Sequence, residues 1–240
     1  THVAMVHSET TSGILNDVQS IGRVVKEAGA TFIVDAMSSF AGVDIPGREW
    51  GIDCIISSAN KCIQGVPGFA YVIVRKDLLA ACEGNARSLA LDLYDQWKTM
   101  NVDGKWRFTS PTHVVLAFAK AMEELEAEGG ITARHERYAA NEKLLRKKLS
   151  ALGFVPFLEQ EVQGPIITTF YYPAGYNFSF QEMYDYIKER GYILYPGKTT
   201  KAETFRVGNI GEIYQDDIDK VAGLLSDFLD SKRNLQAKGA

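Results

Sequence analysis

Lys61 stands in the run Ser57-Ser58-Ala59-Asn60-Lys61-Cys62-Ile63-Gln64-Gly65-Val66-Pro67-Gly68, on the loop that follows an apolar strand. Asp35 closes an earlier apolar strand, 26 residues upstream. A lysine in a loop is ordinarily a solvated charge, and an aspartate at a strand end ordinarily caps the next turn. Here the glycines and proline of 65–68 turn the chain tightly and let backbone approach closely, a setting for a buried, reactive amine. Desolvation or nearby positive charge lowers a lysine's pKa from about 10.4, as an amine nucleophile requires. One amine that holds an aldehyde covalently and one carboxylate that keeps a pyridine nitrogen protonated are the pair a pyridoxal phosphate site needs. A dinucleotide-fold reading of Asp35 lacks its GxGxxG turn. The hydroxyl-rich stretch at residues 7–13, His-Ser-Glu-Thr-Thr-Ser-Gly, reads as an N-cap cluster for the following helix, compatible with contact to a cofactor.

The elements that must position these residues alternate in type through the first half. Residues 3–6 read as a strand. Residues 17–28 carry apolar side chains at 18, 21, 24, 25 and 28, which is helical spacing. Further apolar runs follow at 31–34, 54–57 and 69–74, and their lack of alternation predicts strands buried on both faces. Strand, helix and strand at this spacing predict βαβ units around a mainly parallel sheet, whose ligands bind beyond the carboxyl ends of the strands. After Lys76 helices dominate, at 88–100, at 111–128 with Pro111 in the first turn, and at 133–152 after the Gly129-Gly130 interruption. The rest reads as strand 166–172, helix 180–189, strand 192–195, strand 204–207 and helix 216–229, a small α+β unit. Arg146-Lys147-Lys148 lies opposite the apolar face of Leu144, Leu145, Leu149 and Leu152 and reads as a solvated helix face. The expected fold class is therefore α/β, divided into residues 1–130 and residues 131–240 with a linking helix at the start of the second part.

Composition sets the outer limits. The chain has 240 residues, 46% hydrophobic and 23% charged, enough to bury a sizeable core. With 26 basic against 30 acidic residues and a formal charge of −4, it offers no polycationic surface, so nucleic acid is not an expected partner. Cys54, Cys62 and Cys82 form neither a CxxC pair nor an even set, which argues against a disulfide framework and for a reducing, cytoplasmic setting. Cys62 reads as a small buried filler. Four scattered histidines build neither a metal spacing nor a Ser/His/Asp order, so no metal is expected. No apolar run reaches the ~20 residues of a membrane span. The first residue is Thr1 and residues 3–6 already read as core strand, so the chain is expected to be a fragment.

Taken together, HSETTSG, VDAMSSFAG and SSANKCIQGVPGF, with Asp35 22 residues after Gly13 and Lys61 26 after Asp35, resemble fold-type I pyridoxal-phosphate enzymes of aminotransferase class V. The resemblance runs from His2 to Leu229. It implies that Lys61 holds the cofactor aldehyde, that Asp35 pairs with the ring nitrogen, that Thr10 bonds the ring hydroxyl and that Asn60 lies near the phosphate. It also implies a homodimer in which a threonine before a proline reaches the neighbouring cofactor's phosphate. Thr109 of Thr109-Ser110-Pro111-Thr112 matches best, with Thr112 as the alternative. Arg206, otherwise an edge-strand arginine, matches the small-domain residue that grips the substrate's anionic group, phosphonate or carboxylate. SANKCIQGVPGF with WRFTSPTH resembles a branch that pairs an aminophosphonate donor with pyruvate. The alternatives are alanine or serine with glyoxylate or pyruvate, and a non-catalytic module that keeps the fold. The family's phosphate loop and ring-stacking aromatic belong to a stretch ahead of His2, so residues 1–240 alone are expected to bind cofactor weakly.

Overall fold

A computed structural model describes residues 1–174, 178–197 and 202–238, with side chains through 234. The first sheet has the order β1 (His2–Val6), β2 (Thr31–Asp35), β3 (Cys54–Ser58), β4 (Ala70–Val74). β1 and β2 run parallel from His2↔Thr31 to Val6↔Asp35, and β2 and β3 run parallel from Ile33↔Cys54 to Asp35↔Ile56. β4 returns antiparallel to β3. Helix α1 (Val18–Glu27) makes the crossover from β1 to β2. Its start is set by Asp17, whose side chain accepts from Ser20 N at 2.9 Å, so the cap is Asp17 and the cluster at 7–13 serves a different purpose.

Two expectations about burial need correction. Val18, Gly22 and Val25 face the core, whereas Ile21 and Val24 point outward, Val24 with 61% exposure. Gly22 sets that rotation, since a Cβ there would meet the Trp50 carbonyl at 2.0 Å. The apolar runs of β1 and β4 are not buried on both faces, because these are the outer strands of the described sheet, while Phe32, Val34 and Ile55 in β2 and β3 fill the core.

After α2 (Lys76–Ala80), helix α3 spans Leu93–Asp103 in place of the expected 88–100. Asp92 accepts from Asp95 N at 3.0 Å and fixes the start there, which leaves Leu91 77% exposed outside the helix. α4 (Thr112–Glu128) begins directly after Pro111. Gly129 and Gly130 take φ of 112° and 76° and complete the reversal between them, so α5 opens at Gly130, ahead of the expected residue 133, and runs to Ala151. In the basic triplet Arg146 is not a solvated charge. It donates through Nη2 to the Leu158 carbonyl at 2.7 Å, and its Nη1 is buried.

The second sheet is antiparallel, in the order β5 (Ile167–Tyr171), β7 (Thr204–Gly208), β6 (Tyr195–Pro196). The expected strand 192–195 shrinks to Tyr195–Pro196, because Tyr192 N still bonds the Ile187 carbonyl at the end of α6 (Phe180–Lys188). α7 (Gln215–Lys238) extends beyond the expected 229. Its Leu225 and Phe228, with Leu145 and Leu149 of α5 and Met183 of α6, close over Phe154, Phe170 and Phe205. Phe205 meets Phe154 edge-on at 5.3 Å and Phe170 in a stack at 5.8 Å. No helix among the described residues is long and apolar enough to cross a membrane.

Phe205→Ala is expected to destabilise the protein by about 3–5 kcal/mol through loss of burial and an unfilled cavity. Val102→Ala, at a side chain 83% exposed, is expected to stay within about 0.5 kcal/mol. Urea denaturation midpoints compare the two. Past β1, His7 is buried, shares a 2.9 Å hydrogen bond with Ser39 Oγ and lies edge-on to Trp50, and burial pushes its pKa down from 6.5 to about 4. The unfolded chain takes up this proton near 6.5 and the folded chain does not, so His7 contributes stability above that pH and loses it as pH falls towards 4. The loss is up to about 3 kcal/mol. His7→Gln should flatten that part of the pH dependence in urea titrations between pH 7 and pH 4.5. An unchanged slope would show that His7 is protonated in the folded chain.

Candidate active site

The parallel register brings Val6, Asp35 and Ile56 side by side, so the segments leaving β1, β2 and β3 emerge at the same edge of the sheet. His7 N donates to the Asp35 carbonyl at 2.8 Å and Ala36 N to the Ile56 carbonyl at 2.9 Å, which carries the ladder one step past the strands. The Asp35 carboxylate is half-buried. Its Oδ1 accepts from Met37 N at 2.9 Å, the turn-capping contact expected of a strand-end aspartate, and its Oδ2 accepts nothing among the described residues.

The segment 8–15 folds around Glu9. That carboxylate accepts from Thr11 N at 2.7 Å, from Ser12 N at 2.9 Å and from Ser12 Oγ at 2.8 Å. Burial raises its pKa, but these hydrogen bonds outweigh it and hold the group below the ordinary glutamate value. The second sheet then grips the loop. Thr169 Oγ1 donates to the Thr11 carbonyl at 3.0 Å, Arg206 Nη1 to the Thr10 carbonyl at 2.9 Å, and Gly164 N to the Gly13 carbonyl at 2.8 Å. Gly13 has φ 97°, and a Cβ there would meet the Ile167 carbonyl at 2.5 Å, so the close approach requires glycine.

Arg206 is only 8% exposed, in β7 opposite Thr169. Besides the bond to Thr10, its Nε donates to the Pro196 carbonyl at 3.1 Å, and its guanidinium lies 5.8 Å from the Tyr195 ring centre. Nη2 has no partner among the described residues, so one arm of the fork is free to receive an anion while the other two are fixed. The arginine is therefore an anchored group on the central strand of its sheet, not an exposed edge-strand arginine.

Lys61 heads a tight turn after β3. The turn is tied to the segment after Asp35 by Cys62 Sγ to the Ser38 carbonyl at 3.1 Å. Cys62 is fully buried and burial pushes its thiol up to about 12, which makes it the inert filler expected. Lys61 is half-buried, and its amine has neither a hydrogen-bond nor an ion-pair partner among the described residues. With Asn60, Gln64, Glu124, Glu128 and Tyr214 it lines an open cavity of about 860 Å³. Asn60 Oδ1 accepts from Ser58 Oγ at 3.0 Å.

The structure thus joins Thr10 to Arg206 directly, joins Asn60 to Lys61 in one cavity, and links Asp35 to the Lys61 turn through backbone. Asp35, Thr10 and Arg206 do not line that cavity. Thr109 is exposed ahead of α4 and bonds to none of these residues, and the Thr112 hydroxyl bonds only with Ser110 among the described residues. Sequence reading did not single out Thr169 and Gln163, which hold the 8–15 loop, or Tyr138, which reaches the Lys61 turn. Gln163 and Thr169 flank a strand start, a weak signal, and Tyr138 has none.

Residues 1–207 match the family described as Aminotransferase class-V. The chain is 56% identical over 234 residues to a 2-aminoethylphosphonate–pyruvate transaminase of Lysinibacillus sphaericus, which covers 98% of the chain and 64% of that protein. It is 54% identical over 222 residues to a protein of the same name from Bacillus cereus, covering 92% of the chain and 60% of that protein. The chain therefore spans somewhat under two thirds of the length of these relatives. Among solved structures, pyridoxamine-pyruvate aminotransferase from Mesorhizobium loti superposes with a TM-score of 0.87 at 23% identity, over 97% of this chain and 60% of that one. Ureidoglycine-glyoxylate aminotransferase from Bacillus subtilis gives 0.84 at 24% identity, over 96% and 60%. These last two similarities bear on the fold, which is the α/β fold of this enzyme class. With a strand-end aspartate, a turn-borne lysine and a family match that runs from the first strand into β7, the chain belongs to the class-V aminotransferases.

Proposed function

We propose that this chain belongs to a pyridoxal-phosphate-dependent transaminase that moves the amino group of 2-aminoethylphosphonate to pyruvate, giving phosphonoacetaldehyde and L-alanine. The observation that carries the chemistry is a half-buried Lys61 amine and an Asp35 Oδ2 that both lack partners among the described residues, on segments that leave adjacent parallel strands at one edge. The choice of substrates is supported by relatives of that name at 54–56% identity along nearly the whole chain.

The donor set fits the cofactor's chemistry. When bound, pyridoxal phosphate supplies an aldehyde for covalent capture of amines and a protonated ring that withdraws electrons. Lys61 Nζ would hold the aldehyde and, once displaced by the substrate amine, move a proton at the substrate carbon. Asp35 Oδ2 would accept the ring N–H and keep that nitrogen charged. The Thr10 hydroxyl and Asn60 would contact the ring hydroxyl and the phosphate. Arg206 Nη2 would donate to the phosphonate from a guanidinium already oriented by Thr10 and Pro196. We read residues 1–130 as part of the cofactor-binding domain and 131–240 as the small domain with its linking helix. We place the enzyme in the cytoplasm as a homodimer, with the exposed Thr109 of one copy reaching the phosphate site of the other. Three cysteines without a disulfide support that setting.

In the full-length protein, borohydride reduction after cofactor loading should leave a pyridoxyl label on Lys61, located by peptide mass spectrometry. Lys61→Ala should abolish both label and turnover, and Asp35→Asn should lower kcat by ~10²–10³-fold. A label elsewhere sinks the assignment. Arg206→Lys should raise KM for 2-aminoethylphosphonate by roughly tenfold or more, because a lysine cannot hold Thr10 and Pro196 while also donating to the anion. Turnover with alanine or serine and glyoxylate, and none with the aminophosphonate, would replace the substrate assignment while leaving the Lys61 chemistry intact.

A further inference from the structure

The turn that carries Lys61 holds a conformation its sequence does not favour. Gln64 has φ 65°, in the left-handed region that favours glycine and, among other residues, asparagine or aspartate. Gln64 N donates to the Lys61 carbonyl at 2.8 Å and Gly65 N to the Ala59 carbonyl at 2.9 Å. A Cβ at Gly65 would meet that Ala59 carbonyl at 2.6 Å, so the glycine is needed to close the loop and leaves residue 64 to take the strained conformation. A strained residue persists when its surroundings over-determine it.

Those surroundings come from α5. Arg134 Nη1 donates to the Cys62 carbonyl at 2.6 Å, and the Gln64 side-chain amide donates to Tyr138 Oη at 2.7 Å, across 74 residues of sequence. Tyr138 is fully buried against Cys62 and Ile166, with the Arg137 guanidinium 4.9 Å from its ring centre. Its carbonyl accepts from Asn209 Nδ2 at 3.1 Å, and its hydroxyl accepts a second bond from Gly211 N at 3.2 Å. Burial pushes the phenol pKa up, so it stays a neutral hydrogen-bonding group. Gly211 lies just past β7, the strand that carries Arg206. Gln64 shares the cavity with Lys61, whereas Tyr138 is sealed from it.

We propose that Tyr138 and Gln64 are positioning residues for Lys61: the buried hydroxyl holds the Gln64 amide, which locks residue 64 left-handed and presents the amine three residues earlier in one orientation. This rests on the reading of Lys61 as the reactive amine. Tyr138 is sealed from the cavity, and among the described residues no hydrogen bond joins Gln64 to the Lys61 side chain. The same hydroxyl ties the Lys61 turn to the loop after β7, so the reactive amine and the anion-binding arginine are referred to one buried anchor.

The test uses the full-length protein with Tyr138→Phe, which keeps the ring and its packing, and with Gln64→Ala, at a half-buried side chain. In the cofactor-free protein, amide exchange of residues 59–66 should quicken about tenfold in both variants while that of β5 and α7 is unchanged. In the loaded enzyme kcat should fall about tenfold, KM for the amine should stay within about twofold, and the double variant should be no worse than either single. A merely structural role predicts exchange that rises across the whole chain and effects that add, and that result would overturn the proposal. A pyridoxyl label at Lys61 with unchanged exchange at 59–66 overturns the positioning alone. A label at another residue overturns the transaminase reading and the positioning with it.

Discussion

Everything at the candidate site depends on the parallel register of three strands. Val6, Asp35 and Ile56 stand level, so the chain leaves β1, β2 and β3 at the same edge. A one-residue slip of β2 would reverse every side chain on that strand, turning Phe32 and Val34 out of the core and Asp35 away from its present face. The core thus fixes the register, and the register fixes where the carboxylate and the turn-borne amine lie. β4 runs antiparallel to β3 and its Ala70 pairs with Ser58, so the Lys61 turn forms within a connection between neighbouring strands.

The second sheet joins this arrangement through backbone carbonyls more than through side-chain pairs. Thr10, Thr11 and Gly13 each offer a carbonyl, and Arg206, Thr169, Gln163 and Gly164 supply the donors. A carbonyl does not depend on residue type, so the loop's main chain is held without drawing on the Thr10 hydroxyl, whereas the Ser12 hydroxyl donates to Glu9. Donation from Arg206 Nη1 to Thr10 is charge-assisted, and with Nε held by the Pro196 carbonyl two arms of the fork are occupied. What remains is a single pre-oriented arm, and an anion meeting it would carry a smaller entropic cost than one meeting a freely rotating arginine.

Much of this was legible in the sequence, for reasons that can be traced. β2 and β3 are buried strands whose apolar runs end at a polar residue, so Asp35 and the Lys61 turn could be placed at strand ends from pattern alone. β1 and β4 have the same apolar composition, but strand order, which composition does not encode, makes them the outer strands of the described sheet. Helix starts failed where a cap outranked periodicity, as Asp92 did for α3. Arg146 reads as a solvated charge in a basic triplet, and only the carbonyl of Leu158, brought close by tertiary packing, shows that it is held. The resemblance pointed to Lys61 and Asp35 by spacing and to Arg206 by its flanking residues, but the groups they bond were not visible. The Gln64 amide and Tyr138 are far apart in sequence, and neither stands in a pattern that marks it.

The Lys61 turn also holds a buried cation close to the lysine. Arg134 is almost wholly buried and reaches the Cys62 carbonyl, one residue from Lys61. An unpaired guanidinium there would cost several kcal/mol, on the order of the penalty for any isolated buried ion. Glu128 removes that cost by accepting from both Arg134 and Arg137. Burial acts to raise the Glu128 pKa, but the two guanidinium groups outweigh it and hold the carboxylate below its ordinary value. The carboxylate therefore stays charged through neutral pH, and the pairing does not lapse where the enzyme would work. Arg134 is left to act as a hydrogen-bond donor that fixes the floor of the turn, a task for which a planar, permanently charged fork suits better than a second lysine. A lysine at 134 would be a compact point charge with a titratable amine of its own, close to that of Lys61. The turn keeps a single lysine by making its structural cation an arginine.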